Sequence, residues 1–514
     1  MKTNRQVLYL LLFLAGIQLI LSTANAASAA TKLVTSEVTL CKIPPQVKSD
    51  NIVAAIYCTC VAFQSARGGR EFMVVDGVEG ALYDKVGTAF VSPNGLTVAH
   101  FASRDNKIYI VVNGVARGPY DDLDDEASPP ILFSPDGKHI AYTAKRNGKW
   151  FVVIDDTEGQ GYDRIEWWQV VFSPDSKRVG YVAIRGNKHI VVLDGVEQGE
   201  SDEVEDRIIF SPDNSRVAWN AVRAGRQAVV INGTTGRDYA LVAYITFSPN
   251  SRSVGYIAKG IDDASHLVVD GQEVATGTSF ERFIFSPDSK RLAYYVRRDR
   301  DRSQYVAVDG IETNCSGLVD DYMAFSPDSK HFAYLTSQGN SRAVIIDGVK
   351  GKWYETVDAP QFSPNSKHFL YVAYQNGHRF VVIDGKEGQR YDNIEQGYTE
   401  DGFRDVVLFS PDNTHMAYVA TRADKQCVVV DGVESIKYDG VNPDSLQFSP
   451  DSRHLAYVVQ RNGKQFVTVD GIASHEYDAL LPYNRIAFET ANVIRALARR
   501  GDKLLRVHIT ITEG

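Results

Sequence analysis

The amino-acid sequence predicts an all-β protein, a β-propeller of about twelve four-stranded repeats. The first observation is a Ser-Pro dipeptide followed by Asp or Asn, and almost always preceded by Phe, that recurs ten times at intervals of 37 to 47 residues. The second is that β-branched runs and hairpin dipeptides follow each copy, and the third is that no segment carries a sustained apolar stripe of helical period. A period of this length is typical of repeat architectures. The Ser-Pro pairs begin at Ser92, Ser134, Ser173, Ser211, Ser248, Ser286, Ser326, Ser363, Ser410 and Ser449.

The start of the chain has the pattern of an export signal. Lys2 and Arg5 precede the apolar run 7–21, and residues 24–26 supply small side chains for cleavage. The run of 15 residues is shorter than the roughly 20 that span a bilayer. Residues 1–26 are therefore assigned to a signal peptide, and we expect a soluble mature protein that is periplasmic or secreted, with no transmembrane segment.

The net charge argues against some classes of partner. The formal charge is −9, and removal of the signal takes away Lys2 and Arg5 but no acidic residue, which gives −11. A chain this acidic has no general attraction for nucleic acid or anionic lipid. We therefore expect no nucleic-acid partner.

The cysteines are too few for a disulfide framework, and their number, five, is odd. Cys58 and Cys60 lie two apart in an extended segment, so they share a face and cannot easily bridge each other. A bridge from Cys41 to one of them and a set of free or buried thiols are both open. Cys41 lies well beyond the predicted cleavage site, so we expect no lipid anchor.

One repeat, residues 169–198, contains the elements of a propeller blade. Residues 169–172 form a short apolar strand, and Ser-Pro-Asp-Ser at 173–176 forms a turn because Pro presets its φ and Asp tolerates the corner. A second strand at 179–183 and the β-branched run "IVVLDG" follow. A weaker fourth strand, often ending in Tyr-Asp, completes four antiparallel strands.

The corners between these strands are hairpin turns. Asn-Gly occupies the second corner in several copies, and Asp-Gly ends the third strand in most, since both positions accept a positive φ. Each blade alone buries too little apolar surface to be stable, so the recurring Phe, Tyr and Val-Val positions are predicted to pack between blades. The Asp-Gly pairs begin at Asp76, Asp194, Asp270, Asp309, Asp347, Asp384, Asp431 and Asp470.

The phrases "FSPDSK", "AYVA" and "VVVDG" resemble the WD-repeat-like propeller repeats of the periplasmic protein TolB and many exported bacterial relatives. The resemblance covers residues 51–512 and implies the fold without implying a function. The chain departs from TolB in having about twice the repeats and no separate N-terminal α/β domain. The partners of TolB are therefore not transferred.

The repeats count to about twelve, including a degenerate first unit with strands around 61–64 and 72–76. The last unit supplies three strands, and the orphan segment 32–40 is predicted to supply its fourth, which closes the structure. Because propellers typically have four to eight blades, two tandem six-bladed propellers over 27–280 and 281–514 are predicted. One large ring and a division into five and seven blades remain open.

The repeated polar residues are interpreted as structural. Asp or Asn follows Ser-Pro in every copy, and a residue repeated at a turn in each blade is a turn former. One slot before the second strand holds either His or Arg, so we interpret it as a surface cation position, with no metal site. The histidines of this slot are His139, His331, His368, His415 and His454, and the arginines are Arg178, Arg216 and Arg291.

Residues that break the repeat are the candidate binding residues. The loop 297–304 is unusually charged, the connection 393–405 produces the longest interval, and 121–130 is an acidic run. "EWWQ" is predicted to lie in a connection of the same kind, and all four segments are predicted to lie at one end of the blades. Aromatic residues and Arg are favoured anchors on such loops. The candidate partner-binding residues are Trp167, Trp168, Arg297, Arg298, Arg300, Tyr398 and Phe403.

The favoured function is an exported, soluble, non-enzymatic scaffold that binds a protein partner of the cell envelope or the exterior through this face. No nucleophile elbow, Walker loop, C-x-x-C or H-E-x-x-H motif occurs, and no cofactor or catalytic residue is assigned. The alternative is a propeller-based hydrolase or lyase acting on peptide or carbohydrate. That alternative requires unlike residues, such as two carboxylates at glycosidase separation, to converge where the repeat fails.

Overall fold

The computed structural model describes residues 31–43, 52–54, 60–123, 131–298, 303–315, 318–399, 402–404 and 407–512. Within these residues the chain forms twelve blades in a ring, and each blade is an antiparallel sheet with four strand positions. The one helical element in the described ranges is the 3-10 helix Pro443–Ser445. This confirms the predicted propeller fold. The predicted signal peptide lies outside the described residues. No helix in the described ranges is long and apolar enough to cross a membrane.

The strands run as follows. Blades 1 to 4 contain β2 Ile52–Ala54, β3 Val61–Arg67, β4 Arg70–Val75, β5 Val78–Glu79; β6 Lys85–Val86, β7 Phe90–Val91, β8 Val98–Arg104, β9 Lys107–Val112, β10 Val115–Tyr120; β11 Ile131–Phe133, β12 Ile140–Arg146, β13 Lys149–Ile154, β14 Thr157–Glu158; and β15 Arg164–Phe172, β16 Val179–Arg185, β17 Lys188–Leu193, β18 Val196–Ser201. Blades 5 to 8 contain β19 Glu203–Phe210, β20 Val217–Arg223, β21 Arg226–Ile231, β22 Thr234–Thr235; β23 Leu241–Phe247, β24 Val254–Lys259, β25 Ser265–Val269, β26 Gln272–Gly277; β27 Ser279–Phe285, β28 Leu292–Arg298, β29 Ser303–Val308, β30 Ile311–Asn314; and β31 Leu318–Phe325, β32 Phe332–Gln338, β33 Ser341–Ile346, β34 Val349–Lys350. Blades 9 to 12 contain β35 Thr356–Phe362, β36 Phe369–Gln375, β37 His378–Ile383, β38 Lys386–Glu387; β39 Asn393–Ile394, β42 Leu408–Phe409, β43 Met416–Arg422, β44 Lys425–Val430, β45 Val433–Glu434; β46 Gly440–Val441, β47 Gln447–Phe448, β48 Leu455–Arg461, β49 Lys464–Val469, β50 Ile472–Ala473; and β51 Ala479–Thr490, β52 Val493–Arg500, β53 Lys503–Thr512, β1 Lys32–Lys42. A separate hairpin pairs β40 Gly397–Thr399 with β41 Gly402–Arg404.

The Ser-Pro-Asp turn joins the first and second strands of a blade. In blade 4 the buried Ser173 hydroxyl donates to Asp175 Oδ1 at 2.7 Å and accepts from the Arg178 N–H at 2.9 Å. In blade 5 the backbone N–H of Ser215, followed by the Ser211 hydroxyl, lowers the pKa of Asp213 to about 2. The carboxylate therefore closes the turn, which agrees with the structural role predicted for this repeated residue.

The same turns also join neighbouring blades. The Asp213 N–H donates to Ser251 Oγ of blade 6 at 2.9 Å, and the Asn250 N–H donates to Ser289 Oγ of blade 7 at 2.9 Å. The hydroxyl acceptor sits on a residue with positive φ in each turn, for example φ 63 at Ser251. A chain of hydrogen bonds thus runs from turn to turn along one end of the blades.

The third and fourth strands are connected by the predicted Asp-Gly hairpin turns. In blade 4, Asp194 and Gly195 have φ values of 52 and 80, as a type I′ turn requires. Asp194 Oδ1 also accepts from the Val179 N–H at 2.9 Å, and Arg178 donates to Asp194 Oδ2 at 2.8 Å. The Asp side chain therefore ties the turn to the second strand.

The cation slot pairs with this Asp. In five blades a His Nδ1 lies 2.6 to 3.0 Å from the carboxylate of the Asp that follows the third strand, in the place that Arg takes in blades 4 and 7. Gly follows this Asp in four of the five blades, and Asp156 follows it in blade 3. The pairs are His139 with Asp155, His331 with Asp347, His368 with Asp384, His415 with Asp431 and His454 with Asp470. The histidines serve separate blades, as the surface-cation interpretation predicts.

Apolar packing joins each blade to the next. A tyrosine after the fourth strand packs edge-on against the second-strand tyrosine of the following blade, as Tyr162 does on Tyr181, with ring centroids 6.5 Å apart. Burial is the main cause that raises the pKa of Tyr181, to about 12. Twelve clusters of buried side chains each combine two adjacent sheets. The predicted interblade role of the recurring Tyr, Phe and Val positions is confirmed.

Packing continues through the predicted boundary at residue 280. Ile257 and Leu267 of blade 6 share a cluster with Phe280 and Phe283 of blade 7. At the ends of the chain, Leu481 and other blade 12 residues share a cluster with blade 1. These contacts follow the order of a ring, while the division into propellers over 27–280 and 281–514 stays a prediction.

The N-terminal strand closes the last blade as predicted. β1 pairs antiparallel with β53, from Lys32 opposite Thr512 to Lys42 opposite Lys503, and the sheet order is β1-β53-β52-β51. Glu37 of β1 accepts from both terminal nitrogens of Arg500 at 2.7 and 2.8 Å and from the Tyr477 hydroxyl at 2.8 Å. These bonds fix β1 to blade 12 and to the end of blade 11.

The described cysteines are free thiols. Cys41 packs against the cluster between blade 12 and blade 1, whereas Cys60 belongs to the cluster between blades 1 and 2. Burial, and then the Asp76 carboxylate, raises the pKa of both thiols, to about 11 for Cys60. Cys58 lies outside the described residues, so a bridge from Cys41 to Cys58 stays a prediction.

Candidate functional site

The first strand of each blade faces the axis of the ring. First strands of neighbouring blades contact one another, as β15 contacts β19 and β19 contacts β23. The fourth strands lie at the far edge of each sheet, where the long strand β26 is mostly exposed. The residues that interrupt the first strand therefore lie at the inner edge of each blade.

First strands are interrupted at their middle by bulges or insertions. In blade 4, Glu166 lies opposite Val182 and Val171 opposite Gly180, so that 167–170 oppose a single residue. Such extra residues leave the ladder and project from the strand. We call these interruptions the axial segments. Each runs from the last residue of the first strand that pairs with the second strand before the interruption to the first residue that pairs after it, as far as the structure describes them. They are 86–90, 122–123, 166–171, 205–209, 243–246, 280–282, 319–323, 358–361, 394–399 with 402–404 and 407–408, 441–447 and 481–486.

The tryptophans lie in the first strand of blade 4, so their predicted place in a connection is wrong. Both belong to β15, within its bulge. Trp167 is half-buried, whereas Trp168 is 38% exposed and donates from Nε1 to Glu166 Oε2 at 2.9 Å. Arg164 also contacts Glu166. The prediction of a connection was wrong because the long first strand continues through residues that do not fit the repeat.

Tyr398 and Phe403 lie opposite each other in the hairpin β40–β41. The hairpin is inserted between the two halves of the first strand of blade 10, β39 and β42, and not in the connection that was predicted. Its backbone contacts the 3-10 helix Pro443–Ser445 of blade 11. The structure therefore places this insertion at the same strand position as the tryptophans, six blades away.

The candidate arginines of blade 7 are ion-paired at the end of the second strand. Arg297 and Arg298 are in β28, paired in register with Gln304 and Ser303, so they belong to the ladder and not to a loop as predicted. Arg297 contacts Glu281 at 3.1 Å, and Arg298 contacts Glu312 at 2.5 Å. Arg300 lies outside the described residues.

The sequence reasoning missed Tyr244. This residue lies in the bulge of blade 6, is 64% exposed and has φ 58, a conformation that is rare for a bulky side chain. The surrounding sequence "LVAYITF" reads as a continuous strand, so no sequence signal separated Tyr244 from the buried tyrosines. Trp168 and Tyr244 thus expose aromatic surface from two axial segments.

The axial segments hold an excess of acidic residues. They contain ten carboxylates and four arginines, a net charge of −6 out of −9 for the whole chain. Three carboxylates are paired with arginines that lie outside the segments: Glu166 with Arg164, Glu281 with Arg297 and Asp358 with Arg379. The carboxylates are Asp122, Glu166, Glu205, Asp206, Glu281, Asp320, Asp321, Asp358, Glu395 and Asp444, and the arginines are Arg207, Arg282, Arg404 and Arg485.

A metal site and a general acid each place a requirement on the side chains of the described ranges. No group of three His, Cys, Asp or Glu residues there is placed to hold a metal ion. The described carboxyl groups whose pKa is shifted have it lowered, as the Arg500 guanidinium does for Glu37, whereas a general acid near neutral pH needs it raised. The Ser, Asp and Asn residues that repeat in each blade form hydrogen bonds within its turns.

Comparisons with known proteins show no family model and no curated protein that matches the chain. Among solved structures, similarity is found to a eukaryotic initiation factor, with 13% identity over 69% of this chain and 96% of that one, at a TM-score of 0.36. The propeller domain of the Trilobed protease from Pyrococcus furiosus has 12% identity, 58% and 93% coverage and a TM-score of 0.27. A putative TolB from Agrobacterium tumefaciens has 16% identity, 46% and 92% coverage and a TM-score of 0.22. At these TM-scores the similarities carry no functional argument, and the propeller fold follows from the sheets themselves.

Proposed function

We propose that the protein is an exported, non-enzymatic scaffold, periplasmic or secreted, that binds a protein partner through its axial segments. The observation that carries this proposal is the shared position of the residues that break the repeat. Trp167, Trp168, Tyr244 and the hairpin β40–β41 all occur where a first strand is interrupted. The remainder of each blade repeats, whereas the axial segments differ from blade to blade.

The composition of the axial segments fits a protein partner. Trp168 and Tyr244 are exposed by 38% and 64%, and Trp and Tyr are the residue types that most often anchor interfaces. The segments carry a net charge of −6, and with the three pairing arginines Arg164, Arg297 and Arg379 included the charge is −3. This excess of negative charge favours a partner surface with positive charge, because complementary potentials speed association and suppress wrong partners. Arg297 contacts Glu281 of an axial segment and remains part of the proposed face. Arg298 contacts Glu312 of the fourth strand, at the far edge of blade 7, so its role in partner binding stays a prediction.

The test is affinity capture from the cell-envelope extract of the source organism, with residues 27–514 as bait. The variant Trp168→Ser with Tyr244→Ser removes two exposed aromatic side chains from the axial segments. The control is Val78→Ser with Ile311→Ser, which removes side chains that are 71% and 75% exposed on fourth strands. We expect a partner that the control retains and the axial variant loses.

Two further readouts complete the test. Capture at increasing ionic strength should weaken, since exposed charges are screened over about 10 Å at 0.1 M salt. Circular dichroism of both variants should match the unmodified protein, because the replaced side chains are exposed. Equal capture by the axial and control variants would contradict the proposed site.

A further inference from the structure

The outer edge of β1 differs from that of every other fourth strand in the described ranges. β1 Lys32–Lys42 contains 11 residues, whereas β10, β18 and β26 contain six each and the remaining fourth strands contain two to four. Short edge strands protect a sheet from pairing with another chain, because they present few free backbone groups. Within the part of the chain that the structure describes, β1 pairs with β53 on one side and with no strand on the other.

The strand ladder decides which backbone groups of β1 point to this free edge. The Ile511 N–H donates to the Asn492 carbonyl at 2.8 Å, on the side of β52. Because successive residues of a strand direct their backbone groups to opposite sides, those of Thr510 point to β1, where Thr510 pairs with Val34. The same alternation leaves four residues of β1 with N–H and C=O groups directed away from β53. They are Leu33, Thr35, Glu37 and Thr39.

The contacts of β1 with the neighbouring blades leave these backbone groups accessible. On the side of blade 11, the Glu37 carboxylate accepts from the Tyr477 hydroxyl at 2.8 Å. On the side of blade 1, the Asp-Gly turn lies against Leu40 and Cys41, near the bulge that interrupts the register after Thr39. These contacts use one side chain and the end of the strand, so the edge from Leu33 to Thr39 stays open to another strand.

The exposed side chains of β1 match a second copy of the same strand. Val34 and Val38 are each 55% exposed, and they lie on one face of the strand with the exposed Ser36 between them. In an antiparallel pair centred on Ser36, Val34 of each copy lies opposite Val38 of the other, and β-branched pairs across strands are stabilising. In the same register Thr35 faces Glu37 of the second copy, so outward backbone groups meet outward backbone groups in hydrogen-bonded pairs.

The neighbouring registers are less favourable. A shift by one residue sets outward groups against groups that already bond to β53. A shift by two residues in one direction places Glu37 opposite Glu37 of the second copy, and like charges directly opposite are destabilising. A shift by two in the other direction sets Val34 opposite Ser36 and separates the valines. In the register centred on Ser36, no like charges are directly opposite, and each Glu37 keeps the Arg500 of its own copy at 2.7 Å.

We propose that two copies of the protein form a dimer by antiparallel pairing of their β1 strands, with the two-fold axis at Ser36. The pairing joins the blade 12 sheets of both copies into one continuous sheet. The contact uses the same surface on both copies, so it closes after two copies and forms no fibre. This inference concerns assembly at the outer edge of blade 12, and it does not depend on partner binding by the axial segments.

The first test measures the mass of residues 27–514 by light scattering after size-exclusion chromatography, over a series of protein concentrations. We expect twice the mass of one chain, falling to the mass of one chain on dilution. The Kd should lie in the micromolar range, because one strand pair buries less surface than the roughly 1,600 Å² of a standard stable interface.

A pair of proline variants locates the contact. Thr35→Pro removes an N–H that points to the free edge, so it blocks the pairing and keeps the ladder between β1 and β53. The matched control is Ala116→Pro in β10, where Val115 pairs with Val112 beside the turn and the next N–H, that of Ala116, points outward in the same way. Thr35→Pro should be monomeric at concentrations at which Ala116→Pro is dimeric.

Cross-linking tests the register. Ser36 lies opposite itself in a pair without hydrogen bonds, where the Cα atoms are about 4.5 Å apart, within the roughly 4.4–6.8 Å that a disulfide spans. With oxidised glutathione, Ser36→Cys should therefore give a covalent dimer. The control is Val78→Cys, which replaces a side chain that is 71% exposed on the fourth strand of blade 1 and should give none. If circular dichroism shows that Thr35→Pro does not fold, this cross-link decides the outcome.

Three results would overturn the proposal: a monomer at every concentration, a dimer that Thr35→Pro retains, or equal cross-linking of Ser36→Cys and Val78→Cys. A monomer that captures an envelope protein through an edge sensitive to Thr35→Pro would also overturn it, because the edge would then bind an extended segment of another protein. The variant Trp168→Ser with Tyr244→Ser should remain dimeric, which separates this contact from the proposed partner site.

Discussion

The closure of blade 12 by the N-terminal strand depends on Glu37, which makes it the sharpest place to test the architecture. The carboxylate accepts two bonds from Arg500 and one from Tyr477, and His475 Nδ1 lies 3.1 Å from it. The Arg500 guanidinium is the main cause that lowers the pKa of Glu37 from 4.5 to about 2. Glu37→Gln keeps the shape of the side chain and removes its charge.

The magnitude follows from the lowered pKa. The Glu37 side chain is only 20% exposed, and a shift from 4.5 to about 2 corresponds to about 3 kcal/mol in favour of the paired strand at neutral pH. Because the pKa is lower in the folded state, this contribution is fully present above about pH 4.5. It is lost as the pH falls from 4.5 to about 2.

Hydrogen exchange of the backbone amides in β1 measures this contribution directly. At pH 7 we expect Glu37→Gln to accelerate exchange in Lys32–Lys42 by on the order of 100-fold, with smaller changes in distant blades. The difference between the two proteins should shrink as the pH falls towards 2, since the carboxylate of the unmodified protein then becomes protonated.

The matched control is Glu79→Gln in blade 1. Glu79 contacts Arg67 at 3.0 Å, but the two side chains are 51% and 64% exposed, so the pair contributes only about 0–1 kcal/mol. If Glu37→Gln exchanges no faster in β1 than this control, or if the difference grows as the pH falls, the assigned role of Glu37 is refuted.

Three further predictions concern the blades. Ser173→Ala, which removes a buried hydroxyl that both donates and accepts in its turn, should lower the free energy of unfolding by about 1–3 kcal/mol in urea titrations, whereas replacement of the exposed Ser215 should cost less. Residues 27–280 and 281–514, expressed separately, should aggregate, because separation exposes Ile257 on one piece and Phe283 on the other, which pack together in the whole chain. If light scattering instead shows two monomeric, folded halves, the division into tandem propellers is supported. Burial raises the pKa of Tyr181 and Tyr418 to about 12, so titration of tyrosine absorbance should leave a class of tyrosines protonated at pH 11, and the folded state should lose stability as the pH rises from 10 to 12. Complete ionisation of the tyrosines near the ordinary pKa of 10, with retained circular dichroism, would contradict this.

Local chemistry explains why much of the blade could be predicted from the sequence. The Ser-Pro-Asp turn and the Asp-Gly hairpin depend on residues within six positions of each other, so their bonds follow from the sequence pattern. The closing strand 32–40 was identified because the last repeat lacked a partner and an edge needs one. The shared slot of His and Arg was recognised from its recurrence, whereas its pairing with the Asp after the third strand was seen only in the structure.

The candidate site could be predicted only in part. The sequence identified the segments that depart from the repeat, among them Trp167 and the stretch 393–405, because a broken period is visible without coordinates. It placed them in connections between blades, since a strand that continues through a bulge has no distinct signature. Tyr244 was missed for the same reason, because an exposed and a buried tyrosine look alike in an apolar run.

The sequence by itself determined the all-β class, the number of repeats, the turns and the closing strand, because each depends on short-range patterns that recur. Only the tertiary structure decided that the divergent residues of blades 4, 6 and 10 interrupt the first strand of each blade, and that Cys60, Asp76 and Arg506 meet where blade 12 contacts blade 1. The physical reason is that these contacts depend on strand register and on the packing of sheets remote in the chain. Neither property is encoded in the period of the repeat.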